Sequence, residues 1–193
     1  SDLEAEALEA PARRGPGLLV PRDLRLSDDG RQVDLRLDPF DAAAVRLDLC
    51  LNALAHAGSG FGSPVAALLA GAIAARLRAL HAERRPHGDF GPRHVLVGPG
   101  GGVALLAPGL PLTRTLMVPS EPRAARARRR APEVLLGAPP TPRSDVHVLG
   151  ALYYELLSGA PYRANATLSA LRGAARAALP PELPGALPDP RPP

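Results

Sequence analysis

The two longest apolar faces in the chain dominate its pattern. Val65, Leu69, Ile73 and Leu77 recur at helical spacing, and the residues around them stay apolar almost all round until Arg76. This predicts a deeply buried helix over 64–82, with Ser63 as N-cap, Pro64 in the first turn and Arg85-Pro86 as its break. A second strongly apolar helix is predicted over 145–157, capped by Ser144-Asp145 and stopped by Gly159. Helical spacing also runs from Phe40 to His56 through Val45, Leu49, Leu51 and Leu54, and more weakly over 167–178. Near the start, Leu3, Ala7 and Leu8 beside Glu4, Glu6 and Glu9 suit a short amphipathic helix that Pro11 and Gly15 end. Strand-like runs occupy 18–26 and 32–38, and Asp28-Asp29-Gly30 between them signals a hairpin. Two further short β runs, 94–98 and 103–106, flank the turn Pro99-Gly100-Gly101-Gly102. Residues 107–143, rich in Pro and Arg, read as irregular, and the last fourteen residues hold seven Pro, a linker or tail. The fold class expected is α+β, mostly helical.

Composition narrows the chemistry. All 23 basic residues counted as Lys+Arg are Arg, so within these residues there is no phosphate-loop Lys, no Schiff base and no Lys general base. The single Cys, Cys50, excludes an internal disulfide framework and a Cys-rich zinc site. The formal charge is +4, but an Arg-, Ala- and Pro-rich, lysine-free composition reflects coding bias, which weakens the basic balance as a sign of nucleic-acid binding. The acidic opening does not read as a secretory leader. The longest apolar run, 65–75, falls short of the roughly 20 residues of a membrane span. A cytoplasmic domain without a membrane span is expected.

The most informative stretch begins at Leu80-His81 and continues with His87-Gly88-Asp89-Phe90-Gly91-Pro92-Arg93-His94. Ala104-Leu105-Leu106-Ala107-Pro108-Gly109 follows, then Ala131-Pro132-Glu133 and Ser144-Asp145-Val146. In order and spacing this resembles the C-terminal lobe of a bacterial Ser/Thr protein kinase: His-Arg-Asp, an Asn five residues on, Asp-Phe-Gly, Ala-Pro-Glu, and Ser-Asp-Val at a buried helix. The resemblance covers about residues 3–176. It implies a kinase-like fold that is mainly the helical C-lobe with a remnant β hairpin of the N-lobe. Residues 1–38 would be a partial N-lobe, 39–178 the C-lobe and 179–193 the Pro-rich tail. The first N-lobe strands, with Gly-rich loop and Lys, would precede Ser1, and the last C-lobe helices would follow Pro193.

The resemblance also implies roles. Asp89 falls at the catalytic base. His94 and Ala107 fall where the family holds magnesium through Asn and Asp; a methyl group cannot bind a cation, and imidazole is a poor ligand for an ion that prefers oxygen. The family's Lys two residues after the base is Gly91, and its Thr before Ala-Pro-Glu is Arg126. Structural positions persist: Glu6 for the N-lobe helix Glu, His87 under the active site, Glu133 in Ala-Pro-Glu, and Asp145 capping the catalytic-loop backbone. For Glu133 a partner in Arg172 or Arg176, or solvation, is expected. The pattern implies a pseudokinase with a regulatory or scaffolding role and a protein partner. No metal is expected, and any ATP would bind weakly or without magnesium. The alternative is an active Ser/Thr kinase completed by parts outside this segment. A small-molecule phosphotransferase, which also uses His-Gly-Asp, is disfavoured by Ala131-Pro132-Glu133 and the Ser144-Asp145-Val146 helix.

Other features keep two readings. Asp89 reads as a base or as a loop residue bonding backbone, His94 as a ligand or as a partly buried residue at a strand start. His147 and Cys50 fit core packing. Arg123, Arg126, Arg128, Arg129 and Arg130 form either a solvated loop or an anion-docking surface. Without interleaved aromatics they do not suit a single-strand stacking platform. Thr113, Thr115 and Ser120, in the same loop, are candidate phosphorylation sites whose phosphates would pair with those Arg residues.

Overall fold

The computed structural model describes residues 18–19, 21–26, 33–37, 40, 42–106 and 123–177. The expected helix at 3–10, the 28–30 turn, the Pro-rich tail, Glu6, Ala107, Thr113, Thr115 and Ser120 lie outside them.

In chain order the described elements are β1 (Leu18–Leu19), β2 (Pro21–Leu26), β3 (Val33–Leu37), β4 (Val45–Arg46), α1 (Leu47–His56) and α2 (Ser63–His81). A 3-10 turn (Pro92–His94) leads into β5 (Val95–Val97) and β6 (Val103–Leu106). After them come α3 (Arg123–Arg129), α4 (Pro132–Leu135), α5 (Pro142–Ser158) and α6 (Leu168–Arg176). The α+β, mainly helical class expected from the sequence is observed.

The hairpin is present as antiparallel β2 and β3, with Leu24 opposite Leu35. The run expected over 18–26 is split, however. Leu18–Leu19 is a separate strand that pairs in parallel with β6, giving a four-stranded sheet of order β1-β6-β5-β4. The helix expected from Phe40 also begins later. Val45 and Arg46 pair with Val97 and Leu96 of β5, and helix starts only at Leu47. Val45 is β-branched, so an extended conformation with a ladder partner suits it better than a helical first turn.

The core lies between α2, α5 and the sheet. Ile73, Leu77, Val95, Leu105, Leu152 and Leu156 are essentially inaccessible. α2 matches its expected span, but its burial differs from expectation. One stripe (Ala66, Leu69, Ile73, Leu77, Leu80) is buried, whereas Leu68 is 74% exposed and Val65 46% exposed. α2 is long and apolar enough to cross a membrane by length and composition, contrary to the count based on its longest uninterrupted apolar run. In this fold its buried stripe belongs to the core shared with α5 and β6. Its N-cap is Gly62 and not Ser63.

α5 starts earlier than expected. Thr141 is its N-cap, its hydroxyl accepting from Ser144 N while Ser144 Oγ accepts from Thr141 N, a reciprocal capping box. Asp145 is therefore one turn inside the helix, free to act elsewhere. Gly159 ends α5 with φ +67°, where a Cβ would collide with the Ser59 carbonyl. Phe61 N donates to Leu156 O at 2.8 Å in the same contact, so the loop after α1 is fastened to the end of α5.

The largest departure concerns 107–143. The Arg run is helical, α3, and α4 follows it within the same stretch. Ala127, Leu135 and Leu171 form a second small core joining α3, α4 and α6.

Candidate functional site

The loop His87–Arg93 connects the break after α2 to the 3-10 turn, and Asp145 holds its start. The Asp145 carboxylate is 2% exposed and accepts from His87 N at 2.6 Å, Gly88 N at 3.0 Å and His81 Nε2 at 2.8 Å. Gly88 has φ +81°, a left-handed conformation that glycine adopts at little cost. The two successive amides of His87 and Gly88 thus converge on one carboxylate. Asp145 caps the backbone at His87 and Gly88. His81, from the last turn of α2, is a third donor that the sequence reading had left without a role.

His87 is buried under the loop. Its Nε2 donates to Leu106 O at 3.0 Å, and its ring meets Phe90 and His94 edge-on at 5.8 and 5.3 Å between centroids. Burial holds its pKa below the usual histidine range. His94, at the end of the 3-10 turn, is pushed down to about 4 by burial and then by the charge His87 would carry. Both shifts favour the neutral imidazole. Nδ1 of each is buried without a hydrogen-bond partner.

Asp89 points toward α3. Its carboxylate oxygens lie 3.7 Å from Arg126 and 3.6 Å from Arg130. Arg129, between them in sequence, turns the other way and grips Glu155 of α5 with Nε at 2.8 and 2.9 Å from its two oxygens. Glu155 is buried and also accepts from Tyr162 N at 2.9 Å. Within the Arg run, Arg129 is held in a structural ion pair while Arg126 and Arg130 face the Asp89 carboxylate. No sequence signal linked these groups, since Arg126 and Asp89 are far apart in the chain. Between them lies a cavity of about 50 Å³ bordered by Asp89, Arg93, His94, Arg126, Arg130 and Asp145.

Of the remaining expected residues, Glu133 sits in the first turn of α4, and its carboxylate makes no ion pair with Arg172 or Arg176 among the described residues. His147 is partly buried on α5, its pKa held down by burial and then by Arg163. Burial raises the pKa of Cys50, which makes it a poor nucleophile at neutral pH. His94 offers a nitrogen where magnesium prefers oxygen, and the Asp89 carboxylate faces two guanidinium groups.

The sequence matches no protein-family profile. It is similar to two curated bacterial proteins named as serine/threonine-protein kinases. One is drp72 of Corynebacterium efficiens, 35% identical over 101 residues, or 48% of this chain. The other is PkaA of Streptomyces coelicolor, 36% identical over 157 residues, or 76% of this chain. The chain spans 18% of the first and 26% of the second.

Proposed function

We propose that the chain is a protein-kinase-like domain of the pseudokinase kind, with a regulatory or scaffolding role exerted through a protein partner in the cytoplasm. The observation that carries this reading is the state of Asp89. At the position of the family's base, its carboxylate faces Arg126 and Arg130 and not a substrate hydroxyl. Phosphoryl transfer depends on positioning and on neutralising phosphate charge, and metal ions supply much of the latter. His94 and Ala107, at the two magnesium positions, supply neither a carboxylate nor an amide oxygen. His87, Asp145 and the two named kinase relatives support the kinase-like fold; in this reading residues 1–38 are a partial N-lobe and 179–193 a tail.

Calorimetry of the intact protein with ATP tests this. ATP should bind weakly, and magnesium should not improve its affinity. Radiolabel transfer to the protein itself or to a generic substrate should be absent. A transfer activity that Asp89→Asn abolishes would overturn the reading in favour of an active Ser/Thr kinase.

A further inference from the structure

Two of the guanidinium groups that border the cavity beside Asp89 share a single carboxylate. Arg93, Arg126, Arg129 and Arg130 border it, with Asp89 and Asp145 as the acidic residues of its wall. Asp145 is committed to His81, His87 N and Gly88 N, and Arg129 to Glu155. Arg126 and Arg130 are left facing one carboxylate. At 3.7 and 3.6 Å these are loose Coulomb contacts, well beyond the roughly 2.7–2.9 Å of a charge-assisted hydrogen bond. Nε of Arg126 is buried and donates to nothing, and Nδ1 of His94, on the same wall, has no partner. Buried polar groups of native proteins are rarely left so unless an ion, water or ligand satisfies them.

We propose that this cavity is an oxyanion site that takes the phosphoryl group of a phosphomonoester, with Arg126 and Arg130 as its principal donors. A phosphoryl dianion brings three acceptor oxygens to two planar donor forks and matches their combined charge. The cavity, about 50 Å³, is far smaller than the roughly 300–1,000 Å³ of sites that enclose drug-sized ligands, so it suits a phosphoryl group and not a whole nucleotide. Asp89 is then the internal competitor: its carboxylate occupies the guanidinium pair until phosphate displaces it. The proposal is independent of the kinase-like reading, since it requires neither ATP nor transfer.

The test is calorimetric titration of the intact protein, in chelator and without magnesium, with inorganic phosphate and separately with O-phosphothreonine. Saturable binding of either supports the site. Tighter binding of phosphothreonine assigns its source to phosphorylated side chains, and equal binding to free phosphate. Arg126→Gln and Arg130→Gln should each weaken binding about tenfold or more. Asp89→Asn should strengthen it several-fold, because it removes the competing charge. This opposite sign distinguishes a ligand site from a merely structural cluster. The near-isosteric Asp89→Asn decides the matter even if an Arg variant fails to fold. Absence of binding by both ligands at 10 mM (a concentration on the order of the weakest affinities of interest), indifference to the Arg variants, or weaker binding by Asp89→Asn would overturn the proposal.

Discussion

At His94 a single side chain carries both a chemical and an energetic consequence. The sequence marks it as a polar residue at a strand start, standing where the resemblance expects a magnesium-binding Asn. What spacing did not reveal is its depth, which comes from packing against His87 and lowers its pKa to about 4. An unfolded chain would protonate the same ring near pH 6.5. Below that pH the unfolded state binds the proton first, so stability is highest above about 6.5 and is lost as pH falls toward 4. His87, shifted down by burial, acts in the same direction. Denaturant midpoints measured from pH 7 to 4.5 should therefore fall, with His94 contributing at most about 1.4 kcal/mol per pH unit. His94→Asn should have a shallower dependence than the unsubstituted protein, and an unchanged slope would contradict the assignment.

At the level of elements, α3 shows why 107–143 misread. Arg123–Arg129 is built from Arg and Ala, both strong helix formers, yet no apolar stripe betrays a helix because its one buried apolar residue is Ala127. Its anchor is polar instead, the Arg129–Glu155 pair at 2.8 Å with side chains 13% and 5% exposed. Removing one partner of such a pair strands a buried charge. Arg129→Met should cost about 3–5 kcal/mol in chemical denaturation. The double variant Arg129→Met, Glu155→Gln should cost less, since the Gln is neutral and its carbonyl still accepts from Tyr162 N. Equal losses in both would mean that packing, not charge, is what Arg129 contributes. α2 errs in the opposite direction. Its composition is apolar on every side, but a helix packed against one helix and one sheet buries only the face turned to them, so Leu68 stays in solvent.

Over the whole molecule, Asp145 joins segments that are remote in sequence. His81 lies 64 residues before it, His87 58 and Gly88 57, and all three donate to its carboxylate. Asp145→Ala would leave two buried amides and an imidazole donor without an acceptor. A loss of about 3–5 kcal/mol is expected, read as a lower denaturation midpoint, together with faster amide exchange at His87 and Gly88. A loss confined to α5, with the loop amides still protected, would show that the loop holds itself. The sequence by itself determined the helical mass, the hairpin, the two principal helices and the positions of His87, Asp89, His94 and Asp145, because periodicity, turn residues and motif spacing are local or fixed along the chain. Only the tertiary structure decided the rest: that His81 completes the cap on the loop, that β1 joins β6, and that Arg126 and Arg130 face Asp89 while Arg129 faces Glu155. Those outcomes turn on which groups share a low-dielectric volume, and neighbouring Arg residues on and just after one short helix reach different partners only once its axis has been placed.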